Sequence, residues 1–242
     1  MDLCSMIYQR RSVRQYTNKP LDEKTTSSIL DFCKNAKPLY PQIRTKAMIV
    51  DPSQVRYYLP WKAPHLIAIF SQNKPGYLEN VGFLFQQAEL YVQSMGLGAC
   101  WLGLGKFRKA QLPEVPGMEF VIFIAFGATD EPLYREDADD FQRKSLSEIA
   151  DREDPKLECA RLAPSGTNAQ PWYFTHEGEI LHAFCSEAGF LRHKLLGNIN
   201  RIDMGIALSH LYLENPDTFR FFATEPKNTP KGYRYTGSFR LG

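Results

Sequence analysis

The sequence predicts an α+β protein assembled from two related halves. Two observations carry this reading. First, stretches of helical and of strand periodicity alternate along the chain, separated by short polar or glycine-containing turns. Second, one order of elements, helix, strand pair, long helix, strand, occurs twice at low sequence similarity. That order points to an internal duplication, with a period far too long for a solenoid repeat.

The elements follow in sequence. Residues 2–9 read as a short helix ending at an arginine cluster. Residues 21–36 read as a helix whose first turn carries Asp22 and Glu23, where the helix dipole favours acids. Residues 46–50 and 65–70 are short apolar strands. Residues 79–95 form the clearest long helix: Val81, Leu84, Phe85, Ala88, Tyr91, Val92 and Met95 recur at helical spacing and give a broad apolar stripe. Gly96 and Gly98 stop it, and residues 99–102 lead to Gly103 and Gly105. Residues 120–126 are a strongly apolar strand, followed by a polar stretch over 129–142. A second unit begins near 146–154. Residues 156–162 are helical, 172–175 and 180–184 alternate like paired strands joined at Glu177-Gly178, 199–213 form a helix, and 219–223 a last strand. The domain division is therefore 1–148 and 149–242.

Composition bounds the function. Hydrophobic residues make up 43% and charged residues 23% of the 242, enough apolar material for a full core. The net charge is +2, and no Lys/Arg run dominates a face, which argues against nucleic acid as a partner. The longest apolar run, near 120–125, is too short to cross a membrane, so no membrane partner is expected. The first residues lack a basic start followed by an apolar stretch, so no export signal is expected. The five cysteines, Cys4, Cys33, Cys100, Cys159 and Cys185, are scattered and show neither metal spacing nor a disulfide framework. A reduced, cytoplasmic setting fits them. The histidines at 65, 176, 182, 193 and 210 have no metal-ligand spacing and read as surface or strand-face residues; no metal site is expected.

Four segments carry candidate chemistry. Arg10, Arg11, Ser12 and Arg14 offer planar guanidinium forks and a hydroxyl, the groups that match phosphate oxygens. The glycine-rich segment 96–105 lets backbone approach a flat ligand; it lacks the spacing and context of a Rossmann fingerprint. Arg143-Lys144 form a basic pair. The loop 163–172, Ala-Pro-Ser-Gly-Thr-Asn-Ala-Gln-Pro-Trp, packs hydroxyls and amides suited to the edge of a polar heterocycle. Each also has a plain structural reading: a solvated helix end, a helix stop, a surface pair and a self-bonded turn. Trp101, Trp172 and Tyr173 could stack on a planar substrate, though core packing explains them as well.

Taken together, these four segments resemble the flavin-dependent nitroreductase family. The resemblance covers most of residues 1–150 and, in the second half, mainly residues 157–175. It implies a nitroreductase-like fold, with central mixed or antiparallel sheets flanked by helices. It also implies FMN as cofactor, with Arg10, Arg11, Ser12, Arg14, Arg143 and Lys144 on the phosphate and ribityl chain. The backbone near Gly103 and Leu104 would face the ring, and Pro164, Ser165 and Asn168 would reach it from the other half. In the family the loop follows the arginine motif closely, and the site forms between two subunits. Here the first half keeps the arginines and the second keeps the loop. A single-chain pseudodimer follows, monomeric in solution, with one complementary site. The implied chemistry is ping-pong: NADH or NADPH reduces the flavin, which reduces a small electron-poor acceptor such as a nitroaromatic or quinone. No catalytic side chain is required, because the flavin carries the hydride. The alternatives are a flavin-binding or sequestering protein without turnover, and a degenerate structural relative that binds no flavin.

Overall fold

A computed structural model describes residues 2–187 and 190–242, with residues 138 and 190–197 described by backbone alone. After α1 (Leu3–Ile7) and α2 (Glu23–Asn35) come β1 (Thr45–Val50), β2 (Val55–Arg56), β3 (His65–Ser71), α3 (Tyr77–Ser94), β4 (Gly98–Leu102), β5 (Lys106–Phe107) and β6 (Glu119–Gly127). Then follow α4 (Leu146–Ile149), α5 (Glu158–Arg161), β7 (Trp172–Glu177), β8 (Ile180–Ser186), α6 (Phe190–Glu214), β9 (Arg220–Phe222) and β10 (Tyr233–Arg240).

Local chemistry explains the boundaries. Asp22 caps α2 by accepting the Thr25 amide at 2.7 Å. Gly76, with φ +88°, sets up α3, whose first turn carries Glu79. Gly178, with φ +63°, makes the tight turn between β7 and β8. The helix expected over 156–162 is instead a 3₁₀ turn at Pro155–Leu157 running into α5.

The larger strands form two four-stranded sheets, β1-β3-β6-β4 and β7-β8-β10-β9, while β2 and β5 pair separately. Every ladder is antiparallel, so the mixed alternative does not occur in the ladders of the described residues. β3 is buried along nearly its whole length, which explains a continuous apolar run in place of an alternating one. One face of its sheet joins the main core, and the other is closed by Val115, Phe107, Phe120 and Trp61.

α3 departs from the expected stripe. It is buried nearly all round, including Glu79, Asn80, Gln86, Gln87, Glu89 and Gln93, because α1, α2 and α6 all pack on it. Its polar side chains therefore face protein and must be bonded there. Asn80 and Gln87 do this by binding the backbone of residues 37–43. Glu79 holds Arg201 of α6 at 2.8 Å and Arg234 of β10 at 3.1 Å.

The crossing of α3 and α6 is set by two glycines. A Cβ on Gly82 would lie 2.0 Å from the Ile202 carbonyl oxygen, and one on Gly205 would lie 2.0 Å from the Glu79 carbonyl oxygen. The contacts are reciprocal: each glycine sits on the carbonyl three residues before the other. The backbones touch at a closeness that no side chain allows.

Gly82→Ala and Gly205→Ala are each expected to lower unfolding free energy by about 3 kcal/mol or more, since the obstacle is backbone. Helix propensity alone would give a gain of about 1 kcal/mol. The double variant should cost less than the sum, because one separation of the helices relieves both clashes. Urea unfolding of the four proteins checks both the sign and the coupling.

Candidate active site

The arginine segment is placed by backbone pairing. Ser12 forms a parallel bridge with Ala99 at the start of β4, and the Val13 amide donates to the Ala99 carbonyl at 3.0 Å. Gly98 has no room for a side chain here, since a Cβ would meet Val13 at 2.6 Å. Laid against β4 in this way, the segment sends Arg10 inward and leaves Arg14 exposed.

Arg10 is 1% exposed and does not reach the ligand-sized cleft. Its Nη2 donates to Glu89 Oε1 and to Ser12 Oγ, each at 3.0 Å. Burial pushes the Glu89 carboxyl up, and the Arg10 charge with the amides of Gln86 and Gln93 opposes that shift. The bonding continues outward. Gln86 donates to Glu89 at 3.0 Å and to His210 Nε2 of α6 at 3.2 Å, and accepts from Trp101 Nε1 at 2.9 Å. His210 is fully buried, contrary to the surface or strand-face expectation. Burial drives its pKa down to about 3, so it is neutral: Nδ1–H donates to the Cys159 carbonyl and Nε2 accepts from Gln86. Glu89, Gln86 and His210 were missed by sequence reasoning because each stands inside a helical pattern in which polar residues read as the solvent face.

Positive charge collects around this segment. Arg135 donates to the Arg10 carbonyl at 2.7 Å. Arg135 and Arg143 are both lowered to about 10, chiefly by burial and then by neighbouring guanidinium groups, Arg10 first. Both remain charged at neutral pH. Arg14 forms no ion pair among the described residues. Among the described residues only Arg10 of this guanidinium cluster forms an ion pair, and such a cluster favours an anion. Arg11 is half-buried, and its backbone amide binds Gln93 Oε1.

The 163–172 loop is held by the basic pair. Arg143 donates to the carbonyls of Ala163 and Phe141 and, at 2.6 Å, to Asn168 Oδ1. Lys144 Nζ donates to the carbonyls of Ala169 and Gln170 at 3.4 and 3.2 Å. Ser165 Oγ accepts from the Gln170 amide at 2.9 Å. Thr167, Asn168 and Gln170 all adopt positive φ, at 53°, 58° and 48°. For a β-branched threonine this is strained backbone, of the kind that clusters at functional sites.

A cleft of about 970 Å³, counting the space at its mouth, lies between these parts. Ser12 and Arg14 line it from the arginine segment, Cys100 to Leu104 from β4 and its turn, Pro164 to Thr167 from the loop, and Ile199, Ile202, Asp203 and Ile206 from α6. Leu59, Trp61 and Ile122 complete the wall. Of the residues expected from the sequence, Ser12, Arg14, Gly103, Leu104, Pro164 and Ser165 meet here. Arg10, Arg11, Arg143, Lys144 and Asn168 do not line it. Leu59, Trp61 and Asp203 were not anticipated: the first two lie on an irregular segment, and Asp203 stands alone between the apolar Ile202 and Met204. Cys100 packs in the wall, and burial raises its thiol pKa, as befits a group that is no nucleophile.

The apolar walls, the exposed backbone turn and the adjacent arginine cluster suit a flat ligand with an anionic tail, in a cleft bounded by β4, α6 and the 163–172 loop. Comparison with known proteins makes this specific. Residues 2–215 match the family model described as "Putative TM nitroreductase", and the chain belongs to that family, a class of oxidoreductase. No curated protein matches it. Among solved structures it is similar to the crystal structure of a putative nitroreductase from Thermotoga maritima, at 20% identity and TM-score 0.63, over 100% of this chain and 93% of that one. An FMN-dependent nitroreductase from Clostridium difficile aligns over 55% of this chain and 94% of its own, at 16% identity and TM-score 0.43. A putative NADH oxidase from Clostridium acetobutylicum aligns over 60% and 96%, at 16% identity and TM-score 0.46.

Glu89→Gln keeps the shape of the side chain but leaves the Arg10 charge buried without a counter-ion. The expected loss is about 3–5 kcal/mol in urea unfolding at pH 7. A loss under about 1 kcal/mol, the size of an exposed pair, would show that Arg10 is not sealed in the core.

Proposed function

We propose that this chain is an FMN-dependent oxidoreductase working as a single-chain pseudodimer with one site. The observation that carries the reading is the cleft wall itself. Residues from near the start of the chain, Ser12 and Arg14, meet residues of the 163–172 loop across one cavity. The duplication is supported by the shared strand order of the two sheets and by the reciprocal glycine contact.

The donor set fits FMN. Arg14 supplies an unpaired guanidinium at the cavity edge, with Arg11, Arg135 and Arg143 reinforcing the positive potential for a phosphate. Ser12 Oγ accepts from Arg10, and its hydroxyl lies on the cleft wall beside Cys100. Gly103 and Leu104 follow the last ladder pair of β4, Leu102 with Phe123, so their backbone N–H groups are left for a ring edge. A Cβ on Gly103 would press on Ile199 at 3.2 Å, closing part of the space a flat ring needs. Pro164 and Ser165 bound the cavity from the other half, and Arg143 and Lys144 act on the loop rather than on the ligand. Trp61, Trp101, Ile122, Ile202 and Ile206 exclude water from the interior. FMN, when bound, supplies the redox chemistry: hydride taken from NADH or NADPH and passed to a small electron-poor acceptor such as a nitroaromatic or a quinone.

Purified protein titrated with FMN is expected to bind one equivalent per chain and to elute as a monomer. Arg14→Ala should weaken binding at least about tenfold, or about 1.4 kcal/mol, with the melting temperature unchanged. Binding at wild-type strength in that variant would remove the phosphate assignment. Bleaching of bound FMN by NADH or NADPH without oxygen supports turnover; FMN that stays oxidised indicates a carrier.

A further inference from the structure

Asp203 is a carboxyl group buried where a carboxylate has little to hold it. It lies in α6 between Ile202 and Met204, is 3% exposed, and lines the cleft. Its Oδ2 accepts from the Gly166 amide of the 163–172 loop at 3.0 Å. Among the described residues it has no cationic partner. Among the described residues the surrounding elements offer no ion-pair partner either. The loop contributes Ser165, Gly166 and Thr167, none ionisable. β4 contributes the raised thiol of Cys100, and β8 that of Cys185. Glu79 of α3 is held by Arg201 and Arg234. Arg14 stands exposed on the cleft wall. A carboxyl group in such surroundings takes a proton sooner than it carries an unpaired charge.

We propose that Asp203 is a binding residue of the cleft that acts as a neutral acid, donating a hydrogen bond to a carbonyl oxygen or ring nitrogen of the ring system held between the two halves. The geometry divides its two oxygens. Oδ2 is taken by Gly166, which suits a carbonyl-type acceptor, and the second oxygen is left to carry the proton. The same residue thereby ties α6 to the loop and presents a donor to the ligand. Burial raises its pKa to about 8, so the donor is present at neutral pH and is lost as pH rises through that value. The sign for stability is the same. An acid raised in the folded state stabilises the fold fully at low pH, and that contribution drains away from about pH 4 up to about pH 8. The proposal rests on FMN being the ligand, and its test separates the two readings.

Asp203→Asn keeps the shape, accepts from Gly166 through its amide oxygen and donates through its amide nitrogen at every pH. FMN dissociation constants of wild type and D203N, measured by flavin fluorescence quenching between pH 6.5 and 9, give a ratio in which the ligand's own titration cancels. That ratio is expected near one at pH 6.5. It should rise about tenfold by pH 9, where only about a tenth of Asp203 keeps its proton. Asp203→Ala, lacking the donor, should bind more weakly than both at pH 6.5. Without ligand, the melting temperature of wild type should fall relative to D203N over the same range. A flat ratio with FMN bound, or a melting difference that does not change with pH, overturns the role of Asp203 and leaves the FMN reading standing. Absence of FMN binding by wild type and D203N alike at every pH overturns both.

Discussion

The contact between α3 and α6 is the constraint on which the rest depends. Gly82 and Gly205 let two helix backbones meet, each against the carbonyl three residues before the other. Glycine in a helix interior costs about 1 kcal/mol against alanine, so two of them must be offset by what the closeness permits. It permits much. With the helices in touch, Ile202, Asp203 and Ile206 come within reach of β4 and the arginine segment and close one side of the cleft. The same approach brings Arg201 onto Glu79 and His210 onto Gln86.

That closeness also makes α3 a polar axis inside an apolar core. Glu89, Gln86 and Gln93 form a bonded set that runs from the Arg10 side chain to the Trp101 indole and the His210 ring. A buried set of this kind is tolerable because nearly every member is satisfied, and it fixes rotamers that packing alone would leave free. The arginine segment is anchored by Arg10 so that its neighbours can face outward. Two guanidiniums four residues apart thus differ in setting: Arg10 is sealed in the core, and Arg14 is exposed on the cleft wall.

Much of this was legible in the sequence. Apolar patterning located α2, α3, β1, β3, β6, β7 and β8 to within a few residues, but it did not show that α3 is buried nearly all round. β10 was not seen. It is broken by Thr236-Gly237, where the ladder bulges, and Gly237 is required there because the Phe221 ring leaves no room for a Cβ. The meeting of the arginine segment with the Pro-Ser-Gly-Thr-Asn loop was expected from the family resemblance alone, since the residue types by themselves allowed a plain structural reading of each. The contrast between Arg10 and Arg14 was not, since it depends on which side of a backbone bridge each residue leaves. Asp203 was illegible for a similar reason. An acid in an apolar helix declares itself only when the absence of a nearby cation is visible in three dimensions.

The reciprocal glycine contact carries one more consequence, for how such a molecule can change. In an assembly of two identical chains, a substitution at this crossing would strike both contact points at once. Here the two points belong to different stretches of one chain. A single codon change alters the residue at one contact point and leaves the residue at the other unchanged. The same freedom extends outward from the axis, and one chain can carry a cleft with two unlike walls, each refined without copying its changes onto the other.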